Sequence, residues 1–304
     1  MLKGLFADSS PFTMLVMLVF TMMVCFLLFT FTGIMLAPLL FGVSVDEIVN
    51  GCNSLNQMRY LQTLFSISIF IIPAFIAAYL FKSSGAVSYF GLQRAVSVKW
   101  FGATLLLMLM IVPFINLLVA LNEMIVFPES LARLEQWLKD SEENIRQSTK
   151  LFLNVDNAGG VLFNIFMIAM LPAIGEELIF RGVLHNIFVK WYGNIHIAII
   201  VTGFLFSAMH IQFYGFFPRW LLGVMFGYLM VWSGSIWLPI FAHFVNNALA
   251  VLAYFLIQKR TIPEEVETFG ANWADIPVTV LATSICAGLL WIMYRKSQSF
   301  IKII

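Results

Sequence analysis

The chain has 304 residues, of which 61% are hydrophobic and only 11% charged, with a net charge of +1 and a mean hydropathy of +0.92. Soluble domains carry about 45–50% apolar and about 25% charged residues, so this composition excludes an ordinary soluble enzyme, a disordered chain and a nucleic-acid binder. The bilayer is the solvent, and the chain reads as a polytopic membrane protein.

A spanning helix needs about 20 mostly apolar residues. Taken in chain order, runs of that kind lie near 12–41, 61–81, 100–121, 159–185, 194–214, 217–233, 236–258 and 276–294. The expected fold is therefore all-α, a membrane helix bundle of about eight transmembrane helices. The first run is too long for a cleavable signal peptide and reads as a retained span. Cys25, Cys52 and Cys286 are scattered, with neither a disulfide framework nor metal-ligand spacing. Between the third and fourth runs, residues 129–150 are charged and helix-forming, and Leu131, Leu134, Trp137 and Leu138 recur on one face. This is an amphipathic helix, read first as a membrane-surface linker and alternatively as an interfacial helix beside a substrate entrance. Residues 1–154 thus comprise three spans plus this linker, and residues 155–304 a core membrane domain. Lys and Arg near span ends divide evenly between the two sides; the basic 82–99 loop and C-terminal tail favour both termini inside. In the sixth run Gly223 and Gly227 form a GxxxG pair, whose default meaning is close helix packing.

Ionisable residues inside a span are costly and point to function. The fourth run carries Pro172, Glu176, Glu177 and Arg181 among Leu, Ile and Phe. Glu177 and Arg181 are four apart and share a helix face, acid before base, the favourable order for a pair. Glu176 points about 100° away around the helix and suits proton transfer. Pro172 lacks an N–H, so it frees a carbonyl in the turn before it. The fifth run ends with His210, four residues after Phe206. The seventh carries His243 and Asn247 on one face and Asn246 on another. Neutral His and Asn can donate to a developing oxyanion or serve as interhelical glue. His185 is expected at the interface and His196 opens the fifth run; neither is given a role. Taken together, a carboxylate and a histidine can activate a water while a second His with an Asn stabilises the oxyanion, a constellation for amide hydrolysis. The chain has no GxSxG elbow and no HExxH.

The ordered set Glu176-Glu177-x-x-x-Arg181, Phe206-x-x-x-His210 and His243-x-x-x-Asn247 resembles the CAAX protease and bacteriocin-processing (Abi) family of intramembrane proteases. The resemblance covers about residues 155–260, and the eight-span layout is similar to that of the CAAX prenyl endopeptidases. It implies that Glu176 and His210 activate the attacking water, that His243 and Asn247 line the oxyanion site, that Glu177 and Arg181 support the first motif, and that Phe206 shapes the pocket. It implies a glutamate mechanism without metal, with a zinc site of Glu176, His210 and His243 as the alternative. The partners it implies are membrane lipid and a membrane-associated peptide or protein substrate, prenylated CAAX-type chains included, in a bacterial plasma membrane. The competing readings are a noncatalytic scaffold or immunity protein, and a transporter with a buried Glu–Arg pair. A transporter predicts inverted repeats, and the sequence carries no such symmetry.

Overall fold

In a bilayer every backbone N–H and C=O must be satisfied within the chain, which restricts spanning segments to helices or closed barrels. The computed structural model describes residues 2–50 and 54–301, all helix, turn and loop with no strand among them. Cys52 and the end of the basic C-terminal tail lie outside the described residues. The helices used below are α1 (Pro11–Phe41), α2 (Leu55–Phe81), α3 (Val98–Met110), α4 (Val112–Glu123), α5 (Ala132–Leu153), α6 (Ala158–Tyr192), α7 (Ile195–Ala208), α8 (Phe216–Ser233), α9 (Trp237–Gln258) and α10 (Ile276–Ile301).

The ends of these helices follow local chemistry. Ser10 caps α1 by accepting the Thr13 N–H at 3.1 Å, and Gly42 ends it with φ 67°. Ser54 and Gln57 form a reciprocal capping box at the start of α2. α3 and α4 meet at a 42° bend just before Pro113.

Among the described residues five helices (α1, α2, α6, α9 and α10) are long and apolar enough to cross a membrane, and the bent α3–α4 pair counts as a sixth if it is one span. The count of eight is not confirmed. The expected runs 194–214 and 217–233 become α7, with 14 residues, and α8, with 18. At 1.5 Å per residue α7 is about 21 Å long, short of a hydrocarbon core of about 30 Å. The chain leaves the helix at residue 208, and Ile211 adopts φ 54°, a costly conformation for a β-branched residue.

Two apolar clusters make up the core. One joins α1, α2, α6 and α7 through residues such as Leu18, Ala77, Ile179 and Phe206. The other joins α3, α8, α9 and α10 through Leu107, Phe226, Ala242 and Cys286. Between α7 and α8 the backbones nearly touch. A Cβ on Gly223 would lie 3.0 Å from Gly203 Cα, and one on Gly227 would lie 2.9 Å from Ile199 Cγ2, so the GxxxG pair faces α7. The amphipathic segment expected at 129–150 is a 3-10 turn, Glu129–Leu131, followed by α5. Its Leu131, Leu134 and Trp137 are exposed, as on a helix lying against lipid.

Candidate active site

Helix α6 presents the carboxylates, and its backbone is built around Pro172. A proline ring clashes with the carbonyl four residues earlier and cannot donate to it. Ahead of Pro172 the helix widens into a π stretch, Ile165–Met170, where the Leu171 N–H reaches Phe166 O. The carbonyl that Pro172 cannot serve is that of Ile168, and Asn247 Nδ2 of α9 donates to it at 3.3 Å. The freed carbonyl expected from the sequence is therefore answered from another helix. Glu176 and Glu177 end the seven-residue α stretch Leu171–Glu177, and a second π stretch, Leu178–Leu184, carries Arg181. Behind them a Cβ on Gly175 would stand 2.8 Å from Phe70 Cβ, so α2 presses close and seals the rear of the site.

Glu177 ties the site together. Its Oε1 accepts from Arg181 Nη1 at 2.7 Å and from His243 Nδ1 at 2.9 Å. Arg181 is fully buried; its Nη2 donates to Gly223 O at 2.9 Å, and its guanidinium lies 4.5 Å from the Phe206 ring centre and 5.4 Å from that of Phe226. The carboxylate, the backbone of α8 and two aromatic faces together hold a charge that the membrane interior would otherwise reject.

Tautomers follow from the partners. A carboxylate only accepts, so His243 Nδ1 carries its proton toward Glu177 and Nε2 is turned to Glu176, 3.9 Å from Oε2. A carbonyl likewise only accepts, so His210 Nδ1 donates to Phe206 O at 2.8 Å and leaves Nε2 as a lone pair. The His243 ring stacks on Phe226 at 5.4 Å and meets Phe206 edge-on at 5.6 Å. Phe206 belongs to one core cluster and Phe226 to the other, so the histidine is clamped between them.

These elements enclose a cavity of about 370 Å³ between α4, α6, α7, α8 and α9, lined by Glu176, Phe206, His210, His243, Asn246, Asn247 and Arg219 among others. Glu176, His210, His243 and Asn247, singled out separately in the sequence, thus share one chamber. Glu176 is buried and its Oε2 has no hydrogen-bond partner among the described residues. Glu177 and Arg181 stand behind the wall, and Asn246 Nδ2 donates to Asn247 Oδ1 at 3.2 Å.

The structure adds three points to these expectations. His243 and Asn247 share a helix face, but their first partners differ: Glu177 for the histidine, Ile168 O for the asparagine. His185, expected at the interface, is buried within the protein, 4% exposed. Arg219 lines the chamber although it counted in the sequence only as a charge near a span end; an arginine inside the apolar run Phe216–Gly223 was the signal. Among the described residues no group of three or more His, Cys, Asp or Glu side chains converges to hold a metal ion, so Glu176, His210 and His243 share a chamber without forming a ligand set.

Residues 158–249, which contain all three motifs, match the family model described as type II CAAX prenyl endopeptidase Rce1-like. The resemblance drawn from the motifs therefore holds over this segment. The chain is 37% identical over 98 residues to the sporulation-killing factor biosynthesis protein SkfC of Bacillus subtilis (strain 168), a match covering 29% of this chain and 19% of that protein. It is 29% identical over 93 residues to the uncharacterized protein YpbD of the same organism, covering 28% of this chain and 43% of YpbD. It is 28% identical over 108 residues to an uncharacterized 24.3 kDa protein of Escherichia coli, covering 34% and 49% respectively. Each match thus spans less than half the length of the relative. No solved structure matches. Apolar helices and bacterial relatives together describe a multi-pass protein of the bacterial plasma membrane.

Proposed function

We propose that this chain, whose residues 158–249 are Rce1-like, is an intramembrane endopeptidase of CAAX prenyl protease type. It hydrolyses peptide bonds of membrane-associated substrates, prenylated ones included. Residues 155–304 form the catalytic core; residues 1–154 supply the rear wall and the amphipathic cover. The observation that carries this reading is the buried Glu176 Oε2, without a hydrogen bond among the described residues, in one chamber with His210, His243 and Asn247.

The reaction follows from the donors and acceptors available. Glu176 takes a proton from a water that His210 Nε2 holds by accepting its other hydrogen. The water oxygen bonds to the scissile carbonyl carbon, and the carbonyl oxygen becomes an oxyanion. Asn247 Nδ2 donates to that oxyanion. His243 stands beside this site, its ring fixed by the Nδ1–H bond to Glu177. The C–N bond then breaks, Glu176 returns its proton to the leaving amine, and the products are a carboxylic acid and an amine. Grooves between helices are the natural place for a lipid substituent.

The test is incubation of detergent-purified protein with a farnesylated C-terminal peptide in heavy-oxygen water, with and without a chelator. Cleavage that is unaffected by the chelator and puts one heavy oxygen into the new carboxyl group is expected. Inhibition by the chelator that zinc reverses would return the metal reading, and a wild-type protein that leaves the peptide intact would set the prenyl-peptide substrate aside.

A further inference from the structure

The chamber holds one charged group that the proposed reaction does not use. Arg219, in the first turn of α8, lines it together with Glu176, His210 and Asn247. Its Nη2 donates at 2.8 Å to Oε1 of Gln212, which lies in the 209–215 loop directly after His210. The guanidinium lies close against that loop: a Cβ on Gly215 would stand 2.9 Å from Nη2. Nη1 is buried and has no hydrogen-bond partner among the described residues. None of their ion pairs involves Arg219.

Arg181 sets the contrast. It is the other arginine of this region, and its charge is met by Glu177 and Gly223 O. A guanidinium stays charged under all ordinary conditions, and Arg219, half-buried with Nη1 shielded from solvent, has no carboxylate in direct contact. Of the nearby carboxylates, Glu142 of α5 accepts the Tyr214 N–H at 3.2 Å and makes no ion pair with Arg219, while Glu176 is assigned to the water. The anion is then brought by the ligand, and the forked donors of arginine match a carboxylate. The chamber's volume is at the low end for a small-ligand pocket, so its occupant is a short peptide segment.

We propose that Arg219 is a specificity-determining residue that binds a carboxylate of the peptide substrate, either the chain terminus or an acidic side chain. The inference rests on the endopeptidase reading and adds to it a fixed distance between scissile bond and carboxylate.

The experiment measures fluorescence anisotropy of three peptides with the full chain in detergent, in the Glu176→Gln background so that peptide is not consumed. All three carry a farnesylated cysteine followed by three residues: a free C-terminal acid with no acidic side chain, its C-terminal amide, and an amide with Glu in place of the last residue. At least one carboxylate-bearing peptide should bind about tenfold tighter than the plain amide, and which one does so identifies the source. Adding Arg219→Gln should erase that advantage, and Arg219→Lys should restore part of it. Equal binding of all three peptides overturns the inference, as does an advantage that survives Arg219→Gln. The acid–amide comparison needs no Arg219 variant, so misfolding of one cannot rescue the proposal. Wild-type cleavage of acid and amide at equal kcat/KM removes the carboxylate site and leaves the peptidase standing; neither binding nor cleavage of any peptide removes both.

Discussion

Helices α2 and α6 lie against each other and meet the same backbone problem. In α2 a π stretch, Ile67–Ile71, precedes Pro73; in α6 a π stretch, Ile165–Met170, precedes Pro172. Around the first, the hydroxyls of Ser66 and Ser68 donate to Gln62 O and Phe65 O of their own helix. Around the second, Ile168 O is served by Asn247 of α9. The widened turn of α2 presents Phe70 and Ile71 to Gly175 and makes an apolar wall. That of α6 leads into two carboxylates and a joint to another helix. Hydroxyl bonds within one helix accompany a partition, and a side-chain bond across helices ties the α6 site to α9.

The harshest way to break this comparison is to remove what α6 has and α2 lacks. Glu177→Ala leaves Arg181 buried without its carboxylate and should destabilise the protein by about 3–5 kcal/mol, read as a lowered Tm in detergent and a reduced yield. A stable but inactive Glu177→Ala protein would mean that Glu177 acts in the chemistry rather than in holding Arg181 and His243.

The prolines sharpen the comparison. Pro172→Ala supplies an N–H for Ile168 O, competes with Asn247 and shifts Glu176; kcat should fall by about 10- to 100-fold with Tm little changed, since small misplacements of reacting groups are that costly. Pro73→Ala, on the apolar partition, should leave kcat roughly where it is. Equal losses in both would show that the two π stretches matter only for packing.

The smallest effect belongs to the cover. Glu142, on α5 outside the spans, is pushed above the ordinary value of 4.5 by burial, which outweighs the Tyr214 N–H bond and the Arg219 charge. A carboxyl raised on folding holds its proton more tightly in the folded state. Its contribution to stability is therefore present below the ordinary value and is lost as pH rises through the raised one. The Tm of wild type should fall relative to Glu142→Gln as pH rises through that window; a constant difference across pH would contradict it.

Much of the site was legible in the sequence because it is local. Glu177–Arg181 pairing follows from helical spacing, and the three motifs stand on runs of clear hydropathy. What was not legible depends on which helices adjoin. Nothing in the order of residues joins His243 to Glu177, or Asn247 to the carbonyl that Pro172 releases. The run 194–214 differs from its helix for a related reason: Ile211 and Phe213 keep the hydropathy high across a turn and hide the helix end at residue 208. Arg219 carried a signal, its place inside the apolar run Phe216–Gly223, but the sequence reading counted it only as a charge near a span end.

The central claim is that two adjacent carboxylates do different work, Glu176 on the water and Glu177 on the scaffold. It is tested most directly by measuring Tm and single-turnover cleavage of the farnesylated peptide for Glu176→Gln beside wild type. The account predicts an unchanged Tm and no detectable cleavage. A Glu176→Gln protein that cleaves at the wild-type rate would contradict it.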